Sequence, residues 1–251
     1  MHDLTRREFA RQTLGGLLTY SLLETLFSRD LLAAEGKLAA AKWVADIHEL
    51  GVSVQGQKLP QVEWQKKIEE LFAKVDLPDL LKFIDFDRLS KDLKFEDHGA
   101  KSLSFKFPQV EGLPTRLVFG KQIFALKEGR SVIPHGHNNM ATAFLILKGD
   151  FHGRHYDRLE ETADHYIIQP TIDRKFEPGG CSTVSDHKDN VHWFETLSET
   201  GFIFNIHVYN VSPERKLPPG RVYMNPNGEQ LAGGKIRAPR ISYAECEKLF
   251  G

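Results

Sequence analysis

Two histidines one residue apart, His135 and His137, lie in the stretch Gly129-Arg-Ser-Val-Ile-Pro-His-Gly-His. On a β-strand, side chains alternate between faces, so both imidazoles project from the same side. That is what a strand can offer a metal ion. The flanks read as strand. Gln122-Ile-Phe-Ala-Leu is apolar and β-prone, Ala143-Phe-Leu-Ile-Leu is a buried run of strand length, and Gly129 and Gly149 punctuate the ends. A third imidazole has to come from a later strand. His192, in Asp189-Asn-Val-His-Trp-Phe-Glu, opens an apolar strand, while its rival His187 sits among Asp186, Lys188 and Asp189 in a loop-like tract. Imidazole suits Fe, Zn, Cu and Ni, so the residues alone leave the metal open. Three neutral imidazoles leave a divalent ion its full charge. A more positive ion favours an anionic ligand and lowers the pKa of a bound thiol.

A second chemical pattern follows. Phe204-Asn-Ile-His207-Val-Tyr209 alternates, so His207 and Tyr209 share one face of a strand. The plainer reading is an aromatic pair on a core face.

The first stretch resembles the opening motif of the cupin superfamily, Gly-(x)5-His-x-His-(x)3–4-Glu-(x)6-Gly. Gly129, His135, His137 and Gly149 fall in place, and Thr142 stands where that motif carries its glutamate. The second cupin motif is only loosely matched, because Pro178, Gly179 and Gly180 lie too far upstream of His192. His207-x-Tyr209 looks like the Ser-x-His-x-Tyr of cysteine dioxygenases, and Thr115-Arg116-Leu-Val resembles their Thr-Arg-Asn-Leu-Val, whose arginine holds the substrate carboxylate. The resemblance runs from about Trp43 to Tyr209. There are three departures: Asn205 replaces the serine, Thr142 replaces the crosslinking cysteine of mammalian members, and Pro114 replaces a tyrosine beside the arginine.

The resemblance implies a mainly β fold, the cupin double-stranded β-helix (a jelly-roll barrel) with N-terminal helices. It also implies a non-haem Fe(2+) thiol dioxygenase that converts a small thiol, cysteine or a related thiol acid, to its sulfinic acid with O2. The metal ligands would be His135, His137 and His192. His207 and Tyr209 would be catalytic, and Arg116 would bind substrate, with Arg154 and Arg221 in reserve. The alternatives are another metal-dependent cupin enzyme (a non-thiol dioxygenase or an isomerase) and a non-catalytic ligand-binding cupin.

These residues need a scaffold. The chain has 251 residues, a net charge of −1 and 17 phenylalanines, which allows one sizeable core and gives no sign of a nucleic-acid surface. Residues 1–36 carry Thr5-Arg6-Arg7-Glu8-Phe9, which resembles a twin-arginine export signal, followed by an apolar stretch too short to span a bilayer. A periplasmic or exported location is expected, cytoplasmic being the alternative, with no stable membrane anchor.

Residues 37–98 read as helical. Trp43, Val44, Ile47 and Leu50 are spaced for one helix ending at Gly51, with His48 on its surface side. Val62, Ile68, Leu71, Phe72 and Val75 mark a second helix, and Asp76-Leu-Pro-Asp starts a third. Residues 99–251 read as the barrel, with a strand over Ser102–Phe107, a hairpin turning at Asn227-Gly228, and a capping box at Ser242-x-x-Glu245 that opens a short last helix. Cys181 and Cys246 read as two unpaired thiols.

Overall fold

The structure, a computed structural model, describes residues 34–213 and 218–251. The Arg6-Arg7 segment lies outside the described residues.

Helices come first: α1 over residues 34–55, α2 (Gln61–Phe72), α3 (Leu77–Phe83) and α4 (Phe86–Ser90). In α1 the expected face is buried at Trp43, Val44 and Ile47. The helix does not stop at Gly51. This glycine marks a close approach instead, since a Cβ there would lie 2.6 Å from Val118 Cγ1. His48 is also not a free surface residue: it is half-buried, and its Nδ1 accepts the Val118 N–H at 3.0 Å. In α2, Trp64, Ile68 and Phe72 are buried, whereas Val62 is exposed. Asp76 caps α3 by accepting the Asp79 N–H at 2.9 Å, with Pro78 in the first turn.

The strands begin with β1 (Lys101–Leu103), shorter than the alternation suggested. Phe105 and Phe107 leave the ladder for the helices. Phe107 stacks 5.8 Å from Phe83, and Phe105 meets Phe107 edge-on at 5.2 Å. Eight strands follow: β2 (Phe119–Lys127), β3 (Ser131–Asn138), β4 (Met140–Lys148), β5 (Phe151–Glu161), β6 (His165–Phe176), β7 (Cys181–Val184), β8 (Val191–Thr196) and β9 (Thr200–Tyr209). One sheet contains the order β2-β9-β4-β7 and the other β3-β8-β5-β6, with antiparallel neighbours throughout. That interleaved order is the jelly roll, the double-stranded β-helix architecture of cupins.

The second sheet is extended by β10 (Gly220–Tyr223), β11 (Glu229–Gln230) and β12 (Ile236–Pro239). The Asn227-Gly228 turn therefore does not join a hairpin of its flanking segments. β10 gives its ladder to β3, and β11 pairs with β12. A last helix, α5 (Tyr243–Phe250), opens with the expected capping box, in which Ser242 Oγ accepts the Glu245 N–H and Glu245 accepts the Ser242 N–H. Cys181 and Cys246 are unpaired.

Strand alternation divides the core. From β9, Phe202, Phe204, Ile206 and Val208 face the helices and join Trp43, Ile47, Trp64, Ile68 and Phe72. Trp43 lies 5.0 Å from Phe72 and 5.9 Å from Phe204, tying two helices to the sheet. The opposite face looks into the barrel. One end of that interior is filled by Phe124, Leu126, Phe144, Phe151, Phe194 and Ile203. At roughly 1.5–3 kcal/mol per fully buried large side chain, this apolar plug anchors the barrel and leaves the other end free for polar groups.

Candidate metal centre

The polar end is set by a register change in β3. Val132 lies opposite Phe194, but His135 lies opposite His192, so three residues of β3 oppose two of β8. This is a β-bulge at Ile133-Pro134. Proline suits it, because a bulged position owes the ladder no N–H. The extra residue inverts the parity of the strand. Val132 faces inward with Phe194, and without the bulge Pro134 and Gly136 would follow it; with the bulge, His135 and His137 do.

His192 lies directly opposite His135 on β8, so the three rings converge. Their ring centroids are 4.1 Å (His135–His192), 5.0 Å (His135–His137) and 5.0 Å (His137–His192) apart. One ligand atom from each lies within 4.8 Å of the others, and all three residues are buried. That spacing is close enough for the three imidazoles to share one ion. The rival His187 is exposed in the β7–β8 loop.

The donor chemistry fits a metal ion. His135 Nδ1 is engaged by the Ile133 carbonyl at 2.8 Å, leaving Nε2 to point inward. His137 Nε2 and both ring nitrogens of His192 are buried without a hydrogen-bond partner. Orphaned buried nitrogens are costly, and an ion would satisfy them. Burial also keeps the rings neutral, the form that binds metal. Desolvation, assisted by the Arg221 charge, lowers His135 to about 3, and desolvation together with the competing neighbouring imidazoles lowers His137 and His192 well below the ordinary imidazole value.

Thr142 is not a ligand but a bridge. Its Oγ1 lies 3.0 Å from His137 Nδ1 and 3.0 Å from His207 Nδ1. His207 Nε2 in turn lies 3.2 Å from Gln122 Nε2. Asn205, where the dioxygenases carry serine, is buried and donates to the Ala143 carbonyl at 3.3 Å. The expected His207–Tyr209 pair does share the inward face of β9. His207 is buried with its pKa lowered to about 3 by desolvation and Arg221, and Tyr209 is 38% exposed at the mouth. The tyrosine ring covers Gly120, where a Cβ would meet it at 3.2 Å.

The three arginines differ in placement. Arg116 is exposed in the segment before β2 and lines an outer groove with Lys106, Gln109 and Lys121 that includes none of the three histidines. Arg154 lies on the outer face, 4.1 Å over the Trp193 ring and 3.3 Å from Glu195. Arg221 is exposed as well, but it sits opposite His137 on β10 and emerges on the inward face. It lines a cleft of about 370 Å³ with Gln122, Met140, His207 and Tyr209, and a cavity of about 70 Å³ that reaches His135 and Tyr223.

Gln122 and His155 join the site beyond the residues the motifs mark. The even spacing of Gln122 from Phe124 places it on the inward face of β2. His155 is paired with His192 on β5 and fully buried, 3.4 Å from Ser182 Oγ.

No protein-family model and no curated protein matches the sequence. Among solved structures, similarity is recorded to procruciferin, an 11S globulin from Brassica napus (9% identity, 42% of this chain and 22% of that one, TM-score 0.31). It is also recorded to a Klebsiella pneumoniae protein with a double-stranded β-helix domain (7% identity, 49% and 82%, TM-score 0.34). A third is a sugar phosphate isomerase of the cupin superfamily from Silicibacter pomeroyi (16% identity, 39% and 52%, TM-score 0.29). The chain spans about a fifth to a third of the length of the 11S globulins it matches. The fold assignment rests on the strand order itself.

Proposed function

We propose that this chain is a non-haem iron dioxygenase acting on a small thiol that carries an acidic group, with the overall change RSH + O2 → RSO2H. The carrying observation is the buried, neutral set His135, His137 and His192 with a threonine hydroxyl, Thr142, where a carboxylate ligand would stand. When bound, the ion supplies the charge that favours a thiolate and the electron transfer that O2 chemistry needs.

The chain's own residues do the rest. The three imidazoles, His135, His137 and His192, would hold the ion. The apolar plug excludes water from below. Arg221, at the mouth of both cavities, pairs with the substrate's carboxylate and orients it, a role a guanidinium fork suits. His207, held by Thr142, and Tyr209 present polar groups toward the open side. A second reading, a metal-dependent cupin enzyme acting on a non-thiol anion, is favoured by the exposure of Arg116 and would use the same ligands and Arg221.

The deciding experiment measures metal in protein isolated without added metal, then oxygen consumption with cysteine, 3-mercaptopropionate and cysteamine. Iron near one equivalent and sulfinate formation support the proposal. Bound metal with no oxygen uptake on any thiol would leave the second reading standing. Export through the twin-arginine segment belongs to the same proposal: replacing Arg6 and Arg7 by lysine should retain the protein in the cytoplasm, and an unchanged distribution would refute it.

A further inference from the structure

The bridge at Thr142 links the metal ligand His137 to the cleft through one continuous chain: His137 Nδ1, Thr142 Oγ1, His207 Nδ1, then His207 Nε2 and Gln122, at 3.0, 3.0 and 3.2 Å. Every member lies on the inward face of β2, β3, β4 or β9. Thr142 and His207 are directly paired across β4–β9, and Gln122 neighbours His207 on β2. Thr142 and the two histidine rings are buried, so water does not compete for these contacts.

A hydroxyl has one proton to give and two lone pairs. Among the described residues the two ring nitrogens are the partners of the buried Thr142 Oγ1, so its proton goes to one histidine and the other donates to it, and a neutral imidazole has one N–H and one acceptor nitrogen. The chain has two self-consistent directions. In one, Gln122 donates to His207, His207 Nδ1–H donates to Thr142, Thr142 donates to His137 Nδ1, and the proton of His137 sits on Nε2. In the other, every bond is reversed. His137 carries its proton on Nδ1, Thr142 donates to His207 Nδ1, and His207 carries its proton on Nε2, with the Gln122 amide turned to offer its oxygen; Ser102 Oγ, which donates to Gln122 Oε1 at 2.6 Å, then accepts from the amide N–H, and the 3.4 Å contact of Gln122 Nε2 to Asn205 Oδ1 is given up. Both directions hold the same number of protons.

An ion bound at His137 Nε2 requires a lone pair there and permits only the second direction. We propose that Thr142 is a positioning residue that couples metal loading to the tautomer of His207, so that a loaded site commits His207 Nε2 to be a hydrogen-bond donor at the cleft. This rests on the reading of the three histidines as a metal centre, and it does not depend on the substrate being a thiol.

Zinc tests it, because it is diamagnetic and takes the same imidazole ligands. Long-range 1H–15N spectra of the zinc-loaded protein should show His137 as the Nδ1–H form and His207 as the Nε2–H form. His207 as Nδ1–H in the loaded protein would overturn the proposal without any variant. Thr142→Val keeps the shape and removes the bridge. It should weaken zinc binding by about ten- to hundredfold, the usual effect of losing a ligand's outer partner, and should release His207 from a single tautomer. Thr142→Ser should restore both. Zinc affinity and His207 signals in Thr142→Val that match wild type would refute the coupling while leaving the metal centre intact. Failure of the wild-type protein to bind zinc would instead refute the metal centre.

Discussion

Arg221 and His137 face each other across the β10–β3 ladder, directly opposite in register. This pairing places a cation beside the three histidines, and its charge adds to the desolvation that lowers His135, His137 and His207. It also makes an arginine on the barrel's added edge strand, rather than Arg116, the candidate anchor for an anionic substrate. Arg221→Gln should lower kcat/KM for a carboxylate-bearing thiol by about 1.5–3 kcal/mol, the range for a charged hydrogen bond. It should leave cysteamine oxidation nearly unchanged, and Arg116→Gln should change neither. Equal losses on both thiols would remove Arg221 from carboxylate recognition.

Substitution of His135, His137 or His192 by alanine should each bring bound metal from near one equivalent to a small fraction, measured by elemental analysis of purified protein. His187→Ala should retain it, because that side chain is exposed in the loop before β8. Metal loss in His187→Ala with retention in His192→Ala would reverse the ligand assignment.

Acid should unfold the metal-free protein early. Burial lowers His135, His155 and His207 to about 3, from an ordinary value of 6.5. As pH falls below 6.5 the unfolded chain takes up protons while the folded chain does not until about 3, so stability falls across that window. Each such histidine costs up to about 1.4 kcal/mol per pH unit. Urea unfolding at pH 7.5 and 5.5 with chelator present should show a loss of several kcal/mol. Equal stability at the two values would mean the imidazoles are hydrated.

Trp43→Ala should destabilise by about 3–5 kcal/mol, the usual range for emptying a buried aromatic site. Trp43 fills the contact among Phe72, Phe204 and the Leu71 carbonyl, which its indole N–H reaches at 3.1 Å. Thermal unfolding would check it, and a shift below about 1 kcal/mol would mean the helical layer is not integral to the barrel.

The elements were legible where local pattern and tertiary demand agree. The alternation around His207 and the capping box at Ser242 are local facts that the fold leaves alone. Gly51 misled because a glycine inside a helix reads as a stop, when here it serves contact with Val118, 67 positions away in the chain. The Asn227-Gly228 turn misled because its preceding segment found a better ladder on β3. At the site, the three converging histidines could be found by type and spacing. Arg221 could not be ranked above Arg116, because inward or outward placement depends on which strand each segment pairs with. Pairing is a non-local choice that neither residue's neighbours encode.

The bulge at Ile133-Pro134 has an evolutionary consequence. Face assignment along β3 hangs on a count, so removing one codon there would send both imidazoles to the opposite side of the sheet without altering either histidine. Restoring one codon would bring them back. The capacity to hold an ion can thus be switched off and on in a lineage by indels of a single residue, with every chemically conspicuous side chain still in place. Descendants that keep His-Gly-His but differ in length just ahead of it would carry the same two histidines and differ in what they bind.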